Sequence, residues 1–166
     1  DCLLHNHYGP TETHVVTALT MAGDPQRWPL LPSIGRPIDN TQIYILDERG
    51  EPTPIGVSGE IHIAGANLAR GYRHRDDLTA QRFVRNPFSA VSGSRMYRTG
   101  DLGCWRADGT IDYLGRNDDQ VKVRGFRVEL GEIEAQLMLH EGVREAAVVA
   151  RSNGTGQRQL IAYIVA

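Results

Sequence analysis

The chain has 166 residues, of which 40% are hydrophobic and 23% are charged, and its formal net charge is −2. It is long enough to bury a hydrophobic core, and its balanced charge argues against binding to nucleic acid or to an anionic membrane. Cys2 and Cys104 are too few for a disulfide framework or a cysteine metal site, and no signal peptide or long apolar run is present, so we expect a cytoplasmic protein.

The chain opens with a predicted strand, a turn and a predicted helix. The run DCLLHNHYG has the pattern of a strand that leads into a loop, and the Gly-Pro pair at its end is a turn signal. We expect TETHVVTALTM to begin a helix, with Thr11 or Thr13 as its N-cap. Because a helix N-terminus attracts anions, the threonines and Glu12 suit a phosphate and its metal ion, and Tyr8 suits stacking on a flat ring. An ordinary capped turn is the alternative interpretation.

The middle of the chain is predicted to be mainly β. In TQIYILDERGEPTPIGVSGEIHIAG, two strands flank a Pro-rich bend, and Ile43, Ile45, Ile61 and Ile63 alternate as a half-buried sheet requires. DDLTAQRFV is predicted to form a short helix. RMYRTGDLGCWRADGTIDYLGR is predicted to be a hairpin that turns at its ADGT segment.

The character of the sequence changes at GRNDDQ, so we expect a joint at residues 115–120. QVKVRGFRVEL is predicted to be a hairpin that turns at its Arg-Gly pair, and Leu130, Ile133 and Leu137 mark one face of a helix. REAAVVARS and RQLIAYIVA are predicted to be two further strands. The sequence therefore predicts a mainly β part followed by a small α+β part.

Two side chains near the predicted hairpin are candidates for nucleotide binding. Asp101, in YRTGDL, is predicted to follow a strand and to sit at a bend made by Gly100, where a carboxylate can accept hydrogen bonds from the two hydroxyls of a ribose. A turn aspartate that bonds its own backbone is the alternative. Arg116 ends the next strand, where it could clamp a phosphate or lie solvated.

Two other patterns resemble binding sites but do not support one. The hairpin QVKVRGFR is basic, but Asp118, Asp119 and Glu129 flank it and balance its charge, so we expect no nucleic-acid binding. The letters HNH at residues 5–7 match a nuclease name, yet no further ligands follow at the spacing of a zinc site.

Four segments occur in the order of a known set of motifs: NHYGPTE, GEIHIAGANLARGY, YRTGDL and GRNDDQVKVRGFRVELGEIE. Together they resemble the adenylation domains of nonribosomal peptide synthetases, which belong to the superfamily of adenylate-forming enzymes. The resemblance implies an α+β fold in which residues 1–117 are the last part of the large subdomain, with its nucleotide and magnesium loop and a distorted β-barrel. Residues 118–166 would be the first part of the small C-terminal subdomain.

The same resemblance implies that the chain is a segment of a larger enzyme. The chain begins without Met, the phosphate loop expected upstream in the family is absent, and the catalytic lysine expected near the end of the small subdomain is absent as well. Lys122, the only lysine, belongs to another motif. We therefore expect the 166-residue chain to be inactive by itself.

The resemblance also implies the reaction and its partners. With ATP and Mg²⁺, an amino acid would become an aminoacyl-adenylate, and the phosphopantetheine thiol of a peptidyl carrier protein would then take the acyl group. A condensation domain is expected in the same polypeptide. The alternatives are an acyl- or aryl-CoA ligase of the same superfamily, and a protein that binds a nucleotide or a partner without catalysis.

For the nucleotide, the matching motifs imply a role for each of several residues. Asn6 would hydrogen-bond adenine, and Tyr8 would stack on it beside Gly9. Thr11 would contact the α-phosphate, and Glu12 would ligate Mg²⁺.

The later motifs imply the remaining roles. Asp101 would bind the ribose hydroxyls with Tyr113 nearby, and Arg116 would contact ribose and phosphate. Asp118 would be a hinge, and Lys122 with the loop at Gly125 would face the active site in the thioester-forming orientation. Thr11, Glu12, Arg116 and Lys122 would be the catalytic residues of this segment.

Three further residues fall where the family lines its amino-acid pocket: His7, Val15 and Val16. Adjacent valines favour an apolar wall, so we expect an aliphatic amino acid such as leucine.

Overall fold

The computed structural model describes residues 2–117, 120–123, 126–152 and 158–166. The chain divides into two units, Asp1–Asn117 and Asp118–Ala166, called here the first and the second unit. Within the described ranges, no helix combines the length and the apolar character that crossing a membrane requires.

Two antiparallel sheets make up most of the first unit. One contains β1, β2 and β3; the other has the order β4-β5-β7-β6, with β8 also paired to β7. Besides a 3-10 turn at Pro25–Arg27, the elements in chain order are β1 (Cys2–Tyr8), β2 (Thr17–Gly23), β3 (Arg36–Pro37), β4 (Thr41–Leu46), β5 (Gly59–Gly65), α1 (Asp76–Arg82), β6 (Phe83–Arg85), β7 (Arg95–Trp105) and β8 (Ile111–Arg116).

The prediction of a helix that begins at Thr11 or Thr13 is wrong. Residues 17–23 form β2, which pairs with β1 from Tyr8↔Thr17 to Cys2↔Gly23. The turn after Tyr8 is closed by the backbone of Val16, whose N–H donates to the Tyr8 carbonyl at 2.8 Å. The β-branched residues at 15–17 favour an extended chain over a helix. No helix N-terminus is therefore present at this loop to attract an anion.

The predicted alternation of isoleucines is confirmed. Ile43, Ile45, Ile61 and Ile63 are at most 7% exposed, and they pack in one hydrophobic cluster with Val16. β4 and β5 pair directly, so Ile43 lies opposite Ile63 and Ile45 opposite Ile61. Side chains two residues apart on a strand share a face, and this face forms the core of the first unit.

The sheets of the first unit are linked by backbone hydrogen bonds at the start of β8. The N–H of Ile34 donates to the Ile111 carbonyl at 2.8 Å, and the N–H of Ile111 donates to the Gly35 carbonyl at 2.9 Å. The helix predicted at DDLTAQRFV is present as α1, but it ends at Arg82, and Phe83 and Val84 belong to β6. The predicted hairpin is confirmed as β7 and β8.

The second unit contains two hairpins and a helix in its described part. β9 (Gln120–Val123) pairs with β10 (Phe126–Glu129), α2 (Leu130–Met138) follows, and β11 (Glu145–Ser152) pairs with β12 (Arg158–Val165). Leu130 is buried on α2, and Ile133 and Leu137 are half-buried on the same face, as predicted. The carboxylate of Glu134 accepts from the N–H of Val148 at 2.7 Å, which ties α2 to β11. The predicted Arg124–Gly125 turn lies outside the described residues.

His62 is a titratable side chain in the buried part of β5. It is 6% exposed, and its Nδ1 lies 3.1 Å from the Glu60 carbonyl oxygen. Burial, with a smaller contribution from the Arg98 guanidinium, lowers the pKa of His62 below its ordinary 6.5, although Glu60 acts in the opposite direction. The folded chain therefore binds the proton more weakly than the unfolded chain does.

We expect His62→Gln to reduce the acid sensitivity of folding. Above pH 6.5 both states hold a neutral imidazole, so the group adds no pH dependence; as the pH falls below 6.5, the unfolded state takes up the proton first and stability is lost. One group contributes a slope of at most about 1.4 kcal/mol per pH unit. Urea unfolding of both variants between pH 5 and 8 measures the difference. A stability difference that stays constant over this range would contradict the assignment.

Candidate functional site

Asp101 is the centre of a hydrogen-bonded cluster that joins distant parts of the first unit. The residue lies on β7 and is buried, with 5% exposure. Oδ2 accepts from the Tyr8 hydroxyl at 2.5 Å, and Oδ1 accepts from Nη1 of Arg116 at 2.6 Å. The Tyr113 hydroxyl donates to Oδ1 over a longer 3.4 Å. Four residues that the sequence predicts for nucleotide binding therefore lie in one cluster.

Strand pairing accounts for most of this cluster. β7 and β8 run antiparallel with Asp101 opposite Arg116, and Gly103 opposite Tyr113. The guanidinium of Arg116 also donates to the Thr99 carbonyl at 3.0 Å, so it is held at two points. A planar guanidinium fixed in this way keeps its orientation. The side chains of this ion pair are 16% exposed for Arg116 and 7% for Asp101, so water screens the pair little.

The sequence predicts that Asp101 follows a strand, and the structure corrects this. β7 runs without a break from Arg95 to Trp105, so Asp101 lies inside the strand. The predicted bend at Gly100 is present as a positive φ of 74°. A register shift follows between Leu102 and Gly103, where the pairing with β8 is irregular. Both irregularities lie next to Asp101 in the sequence, and the strand continues past them.

Tyr8, a member of the cluster, and Asn6 lie two residues apart on β1. Burial, and next the Asp101 carboxylate, raises the pKa of Tyr8 far above its ordinary range, so its phenol keeps the proton that it donates. The Tyr8 ring lies 6.0 Å from the Tyr113 ring, centroid to centroid. Asn6 donates from its side-chain nitrogen to the Ser33 carbonyl at 2.8 Å, which fixes the plane of its amide. The hydroxyls of two neighbouring tyrosines, Tyr8 and Tyr113, therefore contact the buried carboxylate.

The loop from Gly9 to Val16 passes very close to itself. The N–H of Thr13 donates to the Pro10 carbonyl at 3.1 Å, which closes a turn. A Cβ at Gly9 would fall 1.7 Å from the carbonyl oxygen of His14, so a side chain there has no room. His14 itself has a positive φ of 60°. Within this loop Thr11 is exposed and Glu12 is buried.

Glu12 belongs to a second cluster, which sequence reasoning missed. Glu12 is 7% exposed, and its carboxylate accepts from the Tyr72 hydroxyl at 2.6 Å. Tyr72 lies in turn 3.3 Å, oxygen to oxygen, from the hydroxyl of Tyr97. Burial, followed by these two partners, raises the pKa of Tyr72 far above its ordinary range. Tyr72 ends the segment GEIHIAGANLARGY, so the motif was visible, but nothing in its spacing pointed to Glu12.

The residues predicted for the amino-acid pocket occupy different environments. His7 is exposed on β1, and Val15 is half-buried in the loop. Val16 is completely buried in the core cluster that contains Ile34 and Ile43. Their role in a pocket stays a prediction.

Three residues that were predicted to act in the hinge or in thioester formation belong to the second unit. Asp118 and Gly125 lie outside the described residues. Lys122 is on β9, but its side chain also lies outside them.

Among the described residues, no group of three or more His, Cys, Asp or Glu side chains is placed to hold a metal ion. The ring of His5 is 6.3 Å from that of His7, and its Nδ1 lies 2.9 Å from the Thr20 hydroxyl. A cation at Glu12 would therefore depend on a ligand for its other donors.

The sequence of the chain is similar to a known family of proteins. Residues 1–73 match the family model described as AMP-binding enzyme. Over 163 residues the chain is 56% identical to tyrocidine synthase 2 of Brevibacillus parabrevis, and the match covers 98% of this chain but 4% of that protein.

The chain is also similar to solved structures of related proteins. One of them is holo-PA1221, an NRPS protein that contains adenylation and PCP domains and was solved with a vinylsulfonamide inhibitor. It is 32% identical to this chain with a TM-score of 0.82, and the match covers 96% of this chain and 28% of that one. The four-domain nonribosomal peptide synthetase AB3403, bound to AMP and glycine, is 42% identical with a TM-score of 0.62, over 98% of this chain and 12% of that one.

These similarities extend over both units and almost the whole chain, and they confirm the predicted α+β class. The chain spans only a small part of the length of the relatives that it matches. Its first 73 residues therefore match the AMP-binding enzyme family, and nearly the whole chain is similar to a part of nonribosomal peptide synthetases that contain adenylation domains.

Proposed function

We propose that this chain is part of an enzyme that activates an amino acid with ATP. A carboxylate oxygen of the amino acid attacks the α-phosphorus, the bond to the β-phosphate oxygen breaks, and pyrophosphate leaves an aminoacyl-adenylate. The phosphopantetheine thiol of a carrier domain then attacks the acyl carbon and releases AMP. Both steps develop charge that fixed donors stabilise. The related proteins that contain adenylation and PCP domains support this assignment.

The observation that carries the proposal is the buried Asp101 carboxylate with its fixed partners. Arg116 and Tyr8 hold it at 2.6 and 2.5 Å, whereas the Tyr113 contact is long at 3.4 Å. An ionised carboxylate accepts about four hydrogen bonds in all, so Asp101 would have acceptor capacity for a ribose hydroxyl beside these partners. Arg116 would contact the ribose and the α-phosphate from the same side.

The adenine ring would lie beside the same cluster. Asn6 donates to the Ser33 carbonyl, so its amide oxygen faces the opposite way and would accept from the adenine amino group. Tyr8 would stack on the ring, and Gly9 would let the backbone come close. The tight packing of Gly9 against His14 supports this loop as a fixed wall.

Glu12 and Thr11 would face the phosphates. The fit to Mg²⁺ is reasonable, because this cation commonly takes one or two carboxylates and completes its shell with phosphate oxygens and water. Glu12 supplies a buried carboxylate, and Thr11 an exposed hydroxyl for the α-phosphate. When bound, the ion would neutralise charge on the phosphates.

We also propose a hinge at Asp118 between a large and a small subdomain. The boundary between the two units, after Asn117, supports it. Lys122 and the loop at Gly125 would then serve the thioester-forming orientation, with a peptidyl carrier domain as partner and a condensation domain in the same polypeptide. A hinge of this kind moves a subdomain between two half-reactions.

The proposed substrate is an aliphatic amino acid, with His7, Val15 and Val16 near its side chain. The proposed location is the cytoplasm, which the two free cysteines, Cys2 and Cys104, support.

Amino-acid-dependent exchange of pyrophosphate into ATP tests the proposal. We expect the full-length enzyme to exchange with leucine or another aliphatic amino acid at least about 10-fold faster than with a polar one, because a hydrophobic pocket rejects polar side chains. The 166-residue chain alone should show no exchange. Activation of fatty or aryl acids, followed by transfer to free coenzyme A, would replace the proposal with a CoA ligase.

A further inference from the structure

The loop between β5 and α1 holds the Glu12 loop by its backbone. The N–H of Ala69 donates to the carbonyl of Glu12 at 2.8 Å, and Nδ2 of Asn67 donates to the carbonyl of Val15 at 3.1 Å. Arg95 on β7 secures this loop from its other side by donating to the carbonyls of Ala69 and Arg70. The main chain at Glu12 and three residues after it, at Val15, is therefore held by this loop.

The Glu12 side chain is fixed from the same loop by Tyr72. An ionised carboxylate can only accept, so the single proton of the Tyr72 hydroxyl is the one that bonds Oε1 at 2.6 Å. The Tyr97 hydroxyl, 3.3 Å away, must then be the donor to Tyr72. The result is a directed pair of hydrogen bonds, from Tyr97 to Tyr72 and from Tyr72 to Glu12.

The ring of Tyr72 has little freedom to turn away. Phe83 meets it edge-on at 5.7 Å between centroids, and the guanidinium of Arg95 lies 5.3 Å above the Phe83 ring. Phe83 also packs 5.0 Å from the Tyr97 ring, which is completely buried. The hydroxyl therefore keeps its direction toward Glu12.

We propose that Tyr72 is a positioning residue for the magnesium-binding carboxylate of Glu12, supported by Tyr97. The inference rests on the metal role of Glu12 in the proposed function. Mg²⁺ requires nearly ideal octahedral geometry, so a carboxylate with one direction binds it better than one that rotates. Partners that orient a metal ligand commonly change metal affinity by about 10–100-fold when they are lost.

The test is Tyr72→Phe in the full-length enzyme, which removes only the hydroxyl. Mn²⁺, which reports by electron paramagnetic resonance, serves as the probe with a non-hydrolysable ATP analogue. We expect its dissociation constant to rise about 10–100-fold, while KM for the amino acid stays unchanged. Tyr44→Phe is the matched control, because the Tyr44 hydroxyl on β4 contacts Asn86 at 3.5 Å and should leave metal binding unchanged.

Further variants make the outcome decisive. Tyr97→Phe should weaken Mn²⁺ binding less than Tyr72→Phe does, and it decides the question if Tyr72→Phe does not fold. A lower melting temperature with wild-type Mn²⁺ affinity would show a merely structural role for Tyr72 and overturn the inference. Glu12→Gln separates the two proposals: if it leaves Mn²⁺ affinity unchanged, the proposed metal role of Glu12 is what fails.

Discussion

Asp101→Ala, made in the full-length enzyme, should lower kcat/KM for ATP by at least about 30-fold while KM for the amino acid changes little. Truncating one partner of a buried charge pair costs about 2–5 kcal/mol, and here the loss falls on the groups that would hold the ribose. Arg116 would keep its bond to the Thr99 carbonyl but lose its contact with the Asp101 carboxylate. The Tyr8 hydroxyl, which is part-buried, would lose its 2.5 Å acceptor. Steady-state exchange kinetics at varied ATP and varied amino acid measure both constants.

A matched control lies on the same hairpin. Asp112 forms an ion pair with Arg106 at 3.5 Å, and its side chain is 39% exposed. Exposed pairs of this kind contribute about 0–1 kcal/mol, so Asp112→Ala should leave the exchange kinetics nearly unchanged. Asp101→Asn, which keeps one acceptor oxygen, should fall between the wild type and Asp101→Ala. If Asp101→Ala uses ATP with wild-type kinetics, Asp101 does not bind the ribose.

The elements that the sequence predicts well are those with a strong local pattern. The alternation of Ile43, Ile45, Ile61 and Ile63 has a period of two, which only a strand satisfies with one buried face. The error at Thr11–Met21 has a physical cause, because a capping threonine and an acidic residue near a turn occur before strands as well as helices. The pairing of Tyr8 with Thr17 decided that case, and it is a contact between two strands that no local pattern encodes.

The candidate site was only partly predictable for a related reason. Tyr8 and Asp101 are separated by 93 positions, and the residues were selected by motif while their 2.5 Å contact came from the fold. Tyr72 and Tyr97 were not predicted as site residues, because no sequence spacing indicates that a tyrosine hydroxyl donates to a buried carboxylate. Sequence reasoning finds the groups that touch a ligand more readily than the groups that orient them.

One strand connects the two clusters. Tyr97, Thr99 and Asp101 alternate along β7 and are at most 5% exposed. Tyr97 supports Tyr72 and thereby Glu12, whereas the Thr99 hydroxyl accepts from the N–H of Asp101 at 2.9 Å. Because all three residues are fixed on one rigid element, the proposed ribose carboxylate and the proposed magnesium carboxylate keep their positions together.

The loop that carries Glu12 depends on the absence of a side chain at Gly9. A Cβ there would lie 1.7 Å from the carbonyl oxygen of His14, 2.6 Å from its carbonyl carbon and 2.8 Å from the Cα of Val15. These are backbone atoms, so no rotation of a side chain relieves the clash. The loop itself would have to move, and with it the hydrogen bond from Val16 to Tyr8 and the carboxylate of Glu12.

Gly9→Ala should therefore lower pyrophosphate exchange by the full-length enzyme at least about 100-fold, because a displacement near 1 Å in a reacting site has an effect of this size. Overpacking should also reduce the stability of the fold by about 1–3 kcal/mol, measured by urea unfolding. Gly131→Ala is the control, since a Cβ on α2 at that position meets nothing within 4 Å and alanine favours a helix. Wild-type exchange by Gly9→Ala would mean that the Glu12 loop tolerates displacement and is not part of the reacting site.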